Sequence, residues 1–384
     1  MKSAATPQRR ILVNAVAARI GGGARHIANF ADALRRELSS DVAIDVLAPP
    51  SVSLPVRGVT HIPTEIPQGA HPRRLRWELW DATRLASTAS ALLSPMNFGP
   101  PILTVPHVLW QRNPTYFDEG YLHTCDIRRR TVVAAYRQWA LLCVRRADAI
   151  IVPSQAMLDM LASFVSIDER FHIVPHGWKP TQPASVQLPS VAKRWRGFEP
   201  RLLYVSTPAA HKNVELLPEI LQRVKRVHPH AGLGVTFNQK SQWPAVDLFR
   251  DRVERHQLGE SIVYLGTVAQ DAVYQLYSEA DLVLYPSLTE SFGFPLVEAM
   301  GGGAPIAASS IPSNHEVAAN LATYHDPQDP DSAGDAALRA LASGRPPALV
   351  HRRVARAKSF SWSANAQRVV AIIESLQPSL QLRA

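Results

Sequence analysis

The residues best suited to chemistry lie in one short segment of the second half of the chain, from Tyr285 to Gly301. This segment carries two glutamates, Glu290 and Glu298, eight positions apart, with Gly293 between them. Carboxylates so placed can accept hydrogen bonds from sugar or ribose hydroxyls in one pocket. Taken singly, each glutamate is more often a solvated surface charge, so the interpretation depends on the whole string.

The elements predicted around the segment would present its backbone amides to a ligand. A strand ends at Tyr285, a polar loop follows, and a helix begins near Pro295, where proline suits the first turn because its missing N–H is not needed there. Gly293 allows a ligand to approach the backbone closely. The amides of residues 292–294 and the helix N-terminus favour an anion such as a phosphate.

Strands and helices alternate along the chain, which predicts parallel sheets covered by helices on both faces. The predicted strands are 11–16, 42–47, 102–105, 149–152, 171–174, 202–205, 233–237, 262–265, 282–285 and 305–309. A proline-rich connector, 176–200, separates two such doubly wound domains, whose ligands bind at the carboxyl ends of the strands. We therefore expect a site in the interdomain cleft.

Composition excludes several classes of protein. The chain is 46% hydrophobic and 19% charged, as globular proteins are, and no apolar run approaches the roughly 18 residues of a spanning helix. The apolar segment 11–20 is predicted to be a first strand and not a signal peptide. Two cysteines, Cys125 and Cys143, cannot form a metal cluster, and a reducing cytoplasm is the default expectation.

The net charge of +9 lies mainly in the first half, where residues 1–190 hold 21 Lys and Arg against 14 Asp and Glu. Arginine and tryptophan cluster in two segments, whose residues are Arg73, Arg74, Arg76, Trp77 and Trp80, and Arg128, Arg129, Arg130, Arg137, Trp139, Arg145 and Arg146. Such segments suit an anionic membrane surface or a diphosphate-bearing lipid. A solvated Arg-rich face is the alternative. No nucleic-acid motif accompanies the charge, so we expect no nucleic acid partner.

The string Pro-Ser-x-x-Glu-x-Phe-Gly-x-Pro-x-x-Glu-Ala, which begins at Pro286, resembles the signature of family 4 glycosyltransferases. Further segments resemble the same family, namely 147–154, 174–177, 204–213, 265–266, 280–281, 312–317 and 360–362, so the resemblance covers about 10 to 380. It implies an α/β GT-B fold with two facing Rossmann-like doubly wound domains. These would be an acceptor-side domain at 1–178, a donor domain at 179–361 and a helix at 362–384 that crosses back to the first domain.

The resemblance implies a role for each matching residue. Glu298 would hold the nucleotide ribose, Glu290 would lie near the donor sugar hydroxyls, and Lys212 would neutralise the diphosphate and the charge that develops on it. The other residues implied to line the donor site are Asn213, Ser291, Phe292, Gly293 and Phe294. A solvated loop charge is the alternative for Lys212. The arginine expected five positions earlier is absent, since Ser206-Thr207 stands there, and Arg25 or Lys240 are the open replacements.

In the first half, the glycine cluster 21–23 resembles the family's glycine loop, so Gly22 and Gly23 would approach the donor diphosphate; a tight turn is the alternative. The cluster is not a dinucleotide fingerprint, because His26 stands at the third glycine position. His107 resembles the family's histidine near the donor sugar, and the alternative is an ordinary loop histidine. His176 and His211 are weaker candidates.

The implied reaction is sugar transfer with retention at the anomeric carbon, by front-face displacement, without metal or cofactor. Asp329-Pro330-Asp331 lies in a predicted surface loop and not in a metal-binding context. Segment 311–317 is most similar to mannosyltransferase-like members, which suggests GDP-mannose as donor. We expect a lipid-linked or saccharide acceptor in envelope polysaccharide assembly and a cytoplasmic protein peripheral at the inner face of the membrane. The alternatives are a GT-B-fold sugar-nucleotide epimerase and a non-catalytic binder of sugar nucleotides.

Overall fold

The computed structural model describes residues 9–18, 22–66, 72–180 and 188–377. The chain divides into two compact units: unit 1 runs to Gly177 and resumes at Phe360, and unit 2 is Trp178–Ser359. These limits lie within two residues of the predicted boundaries at 178 and 361. The C-terminal helix groups with unit 1.

Unit 1 is a parallel seven-stranded sheet in the order β3-β2-β1-β4-β5-β6-β7. Its strands are β1 (Arg10–Asn14), β2 (Ala43–Ala48), β3 (Val59–Pro63), β4 (Ala91–Ser94), β5 (His107–Trp110), β6 (Ala149–Val152) and β7 (Phe171–Ile173). Its α-helices are α1 (Gly22–Glu37), α2 (Pro72–Trp77), α3 (Thr83–Ala86), α4 (Glu119–His123), α5 (Ile127–Arg146), α6 (Gln155–Ala162) and, at the end of the chain, α15 (Trp362–Leu376).

Side-chain caps begin helices α5 and α6 of unit 1. Asp126 accepts a hydrogen bond from the amide of Arg129 (2.7 Å) and starts α5. Ser154 caps α6 through the amide of Met157 (3.0 Å). Helix α15 then packs on α1, and its Asn365 amide donates to the carbonyl of Pro175 (2.8 Å).

The predicted strand at 102–105 is wrong, because the strand begins at His107. Ile102 is 68% exposed, and the apolar run that contains it lies between prolines that cannot donate to a sheet. The neighbouring strand β4 was not predicted. Strands β3 and β13 (Thr323–His325) were also not predicted.

Unit 2 is a parallel six-stranded sheet in the order β10-β9-β8-β11-β12-β13. Its first five strands are β8 (Arg201–Tyr204), β9 (Gly232–Val235), β10 (Ile262–Tyr264), β11 (Leu282–Tyr285) and β12 (Ile306–Ser309). Its α-helices are α7 (Ala192–Arg196), α8 (Leu217–Lys225), α9 (Pro244–Arg255), α10 (Gln270–Glu279), α11 (Phe294–Gly301), α12 (Pro312–Ala318), α13 (Pro330–Ser343) and α14 (Pro347–Lys358).

The strand order of unit 2 determines where its loops meet. From β8 the chain proceeds outward through β9 and β10, then returns to the other side of β8 with β11. The reversal makes β8 and β11 neighbours, with Leu202 paired to Leu282. Loops after two such strands flank a topological switch point, where ligands of open α/β sheets bind. Among the described residues, no helix has the length and apolar character needed to cross a membrane.

Candidate functional site

Two charged side chains meet at the switch point of unit 2. Lys212 follows β8 and Glu290 follows β11, and the Lys212 Nζ forms an ion pair with the Glu290 Oε1. The Ser287 Oγ donates to the same carboxylate oxygen at 2.8 Å. Burial works to raise the pKa of the Glu290 carboxyl, but the charge of Lys212, with a further contribution from His211, brings that pKa below its ordinary value. Glu290 is therefore an ionised carboxylate with a partly buried cation beside it.

Asn213 ties the loop after β8 to the loop after β11. Its backbone adopts a left-handed conformation (φ 54°), and its side-chain amide donates to the carbonyls of Pro286 (3.2 Å) and Pro327 (2.8 Å). The amide of Leu288 donates in turn to the carbonyl of His211 (2.8 Å). These bonds hold Lys212, which lies between His211 and Asn213, against the loop that carries Glu290.

Gly293 caps α11 in a conformation that favours glycine. Its φ is 90°, and a Cβ at this position would lie 3.0 Å from the Tyr285 hydroxyl oxygen. The flanking rings of Phe292 and Phe294 meet edge to face, with centroids 5.8 Å apart, and Phe292 is buried. The helix N-terminus is thus fixed at the same edge of the sheet as the loops after β8 and β11, and α11 begins one residue before the predicted Pro295.

Glu298 is the fifth residue of α11 and is buried, like Ser291 at the start of the same segment. Burial raises the pKa of the nearby Tyr274 hydroxyl, and the charge of Glu298 raises it further. Tyr274 donates to the carbonyl of Gly301 at 2.9 Å. The second glutamate is therefore a largely buried helix residue and not a solvated one.

The place of the expected arginine is taken by a polar turn. The Thr207 carbonyl lies 3.4 Å from the Tyr204 hydroxyl, and Lys240 is exposed in the loop after β9. Arg25 belongs to α1 of unit 1.

His211, whose charge acts on Glu290, is the group that sequence reasoning underrated; its position next to Lys212 was the available signal.

In unit 1, Gly22 and Gly23 open α1, and Gly21 lies outside the described residues. A Cβ at Gly23 would meet the Met96 Cε at 3.6 Å and the Ala18 Cα at 3.8 Å, which are ordinary contacts. The described packing of unit 1 therefore does not require glycine at position 23. The donor-binding role of the two glycines stays a prediction.

The prediction that His107 follows a strand is wrong. His107 begins β5, is buried, and lies with its Nε2 2.9 Å from the Ser94 Oγ. Burial lowers the pKa of its imidazole to about 3, so the ring is neutral at physiological pH. A Cβ at Gly99 would lie only 2.6 Å from the His107 Nε2, which shows how tightly the ring is enclosed. We therefore leave His107 out of the site.

The residues that do follow β5 are Gln111 and Arg112. Burial lowers the pKa of the Arg112 guanidinium to about 10. Burial also lowers the pKa values of His26 and His176, and the Arg112 charge lowers them further. The two imidazole rings meet edge to face, with centroids 4.6 Å apart. This buried cluster of one arginine and two histidines in unit 1 was missed, although Arg112 stands two positions after the end of a buried strand.

The predicted Arg/Trp surface is only partly a surface. Arg74 is buried, with its guanidinium carbon 5.1 Å from the centroid of Phe98, and pairs with the fully buried Glu78 at 3.5 Å. Trp77 packs against the core and Trp139 stacks on Phe98. The exposed large apolar residues of the two segments and their helices are Leu75, Trp80, Ile127, Val132 and Leu142.

Comparison with known proteins places this geometry in a family. The family model described as "Glycosyltransferase Family 4" matches residues 20–182, and the one described as "Glycosyl transferases group 1" matches residues 191–359. O-antigen chain mannosyltransferase B of Escherichia coli is 32% identical over 188 residues, which are 48% of this chain and 48% of that protein. Mannosylfructose-phosphate synthase of Agrobacterium fabrum is 24% identical over 258 residues, 64% of this chain and 57% of that protein. The chain thus spans about half the length of the curated relatives it matches.

Among solved structures, sucrose-phosphate synthase from Thermosynechococcus elongatus superposes with a TM-score of 0.72 at 18% identity, covering 97% of this chain and all of that one. At this identity the likeness concerns the fold alone, and it confirms the predicted α/β GT-B class. Three observations indicate the same family: the two Rossmann-like units, the donor-type motif at the switch point of unit 2, and the two matching family models. The chain belongs to the family 4 glycosyltransferases.

Proposed function

We propose that the protein is a glycosyltransferase that moves a hexose from a nucleoside-diphosphate sugar to a saccharide or lipid-linked acceptor in cell-envelope polysaccharide assembly. The observation that carries the proposal is the Lys212–Glu290 pair at the switch point of unit 2, beside the N-terminus of α11. It combines a partly buried cation for a diphosphate with a buried carboxylate for sugar hydroxyls.

In the proposed mechanism, Lys212 stabilises the negative charge that the departing diphosphate gains as the glycosidic bond breaks. Its ammonium has three donors, so it can bond a phosphate oxygen while still contacting Glu290. Glu290 accepts from hydroxyls of the donor sugar, and Glu298 accepts from the ribose. The leaving phosphate takes the proton of the acceptor hydroxyl on the same face, which retains the anomeric configuration. Neither a metal nor a cofactor is part of this proposal.

We propose mannose as the sugar and GDP-mannose as the donor. Two relatives support the choice of sugar by their names, an O-antigen chain mannosyltransferase and a mannosylfructose-phosphate synthase. The same names indicate transferases and give no support to an epimerase, which would act on a free sugar nucleotide without an acceptor.

The test is nucleotide release from a panel of GDP, UDP and dTDP sugars, with and without lipid-linked saccharide extracts as acceptor. We expect GDP-mannose to release GDP only when acceptor is present, and the product to keep the donor's anomeric configuration. Acceptor-independent conversion of a UDP sugar would favour the epimerase. Binding of a donor without any turnover would favour the non-catalytic binder.

We further propose that unit 1 docks on an anionic membrane surface at the cytoplasmic face. Leu75 (40% exposed) and Trp80 (65% exposed) project from a segment that also exposes Arg73 and Arg76, a combination that suits the headgroup region. Cosedimentation with phosphatidylglycerol vesicles tests this. Trp80→Ser should weaken binding at least fivefold, whereas Val227→Ser, at an equally exposed site of unit 2, should not. Equal binding by both variants would contradict the docking surface.

A further inference from the structure

Beneath the loop that carries Glu290 lies a buried chain of hydrogen bonds to which the motif assigns no role. We propose that Ser309 and Asn314 are positioning residues for Glu290, which fix the direction of its carboxylate toward the donor sugar. This inference rests on the proposed function of Glu290 and adds two residues outside the glutamate motif.

The hydrogen bonds run from α12 to the backbone of Ser287, and the side chain of Ser287 continues to the carboxylate. The side-chain amide of Asn314 donates to the carbonyl of Ser309 (2.9 Å) and lies 3.1 Å from its Oγ. The Ser309 Oγ donates to the carbonyl of Ser287 (2.5 Å), and the Ser287 Oγ donates to the Glu290 Oε1 (2.8 Å). Ser287, Ser309 and Asn314 are all fully buried.

The number of protons on each serine hydroxyl determines which group donates in each of these hydrogen bonds. A serine hydroxyl has one proton to donate. Ser287 uses its proton on Glu290, and Ser309 uses its proton on the backbone of Ser287. The Glu290 Oε1 therefore receives two donors, Ser287 and Lys212, which together fix the rotation of the carboxylate. In a low-dielectric interior, such a network specifies one geometry more strongly than its members would separately.

Both ends of the chain are anchored. The Tyr324 hydroxyl lies 3.1 Å from the carbonyl of Asn314 and 2.6 Å from that of Ala319, so β13 holds α12 in place. On the other side of the loop, Asn213 holds the carbonyl of Pro286. The residues just before Glu290 are thus fastened to both neighbours of β11, to β12 by Ser309 and to the loop after β8 by Asn213.

A positioning role predicts a particular kinetic pattern. Ser309→Ala leaves the Ser287 carbonyl without its buried donor, and we expect about a tenfold fall in kcat. The KM for the donor should change less than threefold, because Lys212 and Glu298 still hold the nucleotide. The matched control is Ser310→Ala, which removes an exposed hydroxyl beside the His315 Nε2 and should leave kcat unchanged.

The decisive experiment compares Ser309→Ala in the wild-type and Glu290→Ala backgrounds, with kcat measured for the donor that the wild type uses. If Ser309 acts through Glu290, the tenfold fall disappears once Glu290 is gone. An equal fall in both backgrounds, or none in the wild type, overturns the inference while leaving the proposed function intact. Asn314→Asp is the second variant should Ser309→Ala not fold, and it must show the same dependence on Glu290. A wild type that turns over no donor refutes the proposed function and this inference with it.

Discussion

The ion pair between Lys212 and Glu290 gives a prediction whose magnitude follows from burial. Removing one partner of a fully buried pair costs about 3–5 kcal/mol, because the other charge is left uncompensated. The two side chains are 13% and 9% exposed, so we expect about 2–4 kcal/mol for Lys212→Met or Glu290→Gln. The double variant Lys212→Met/Glu290→Gln places two neutral groups of similar shape together. Its loss of stability should be much smaller than the sum of the losses in the two single variants.

Hydrogen exchange of peptides covering 282–301 is the suitable assay, because it resolves the opening of unit 2 in a chain of two units. Since tenfold corresponds to about 1.4 kcal/mol, each single variant should speed the slowest amides by about 30- to 1,000-fold at pH 7. The double variant should remain within about tenfold of the wild type. The pKa of Glu290 is lowered on folding, so the contribution of the pair is complete at pH 7 and is lost only as the pH falls below the ordinary glutamate range. Additive effects in the double variant would refute the coupling.

Two further predictions concern Gly293 and His107. Gly293→Ala places a Cβ at φ 90°, 3.0 Å from the Tyr285 hydroxyl oxygen, and should lower the free energy of opening in the same exchange assay by about 1–3 kcal/mol. The double variant Tyr285→Phe/Gly293→Ala should recover only part of this loss. Full recovery would show that the backbone conformation carries no strain. Burial lowers the pKa of His107 to about 3, so below about pH 6.5 the unfolded chain binds a proton that the folded chain does not. As the pH falls below the pKa of about 6.5 in the unfolded chain, the stability of unit 1 should therefore fall by up to about 1.4 kcal/mol per pH unit. His107→Gln should remove this pH dependence of stability, as measured by hydrogen exchange of β4 and β5 peptides from pH 7 to 5. The variant should change kcat less than threefold. A large loss of kcat would return His107 to the site.

Local patterns carried most of what the sequence could predict. Continuous apolar runs marked strands such as β6 and β11, and Pro295 marked the first turn of α11. The donor-type loop was readable because its chemistry lies within one short string. Lys212, far away in sequence, was paired with that string through the family resemblance, and the adjacency of β8 and β11 explains why they meet.

What could not be predicted depends on contacts between distant residues. Nothing local shows that Ser309 reaches the carbonyl of Ser287, or that Arg74 turns inward to Glu78 and Phe98 and leaves the basic surface. His107 was misplaced because the apolar run before it looks like a strand, whereas the sheet accepts the chain only after Pro106. In each case tertiary packing determined the outcome.

Direct measurement of nucleotide binding tests the central claim that unit 2 holds a nucleoside-diphosphate sugar at Lys212, Glu290 and Glu298. Titration calorimetry with GDP, UDP and dTDP should show micromolar binding of at least one of them. Lys212→Ala and Glu298→Ala should each weaken that binding at least tenfold. The exposed controls Lys225→Ala and Glu260→Ala should bind as the wild type does. Absence of binding across the panel, or wild-type affinity in Lys212→Ala, would contradict the account.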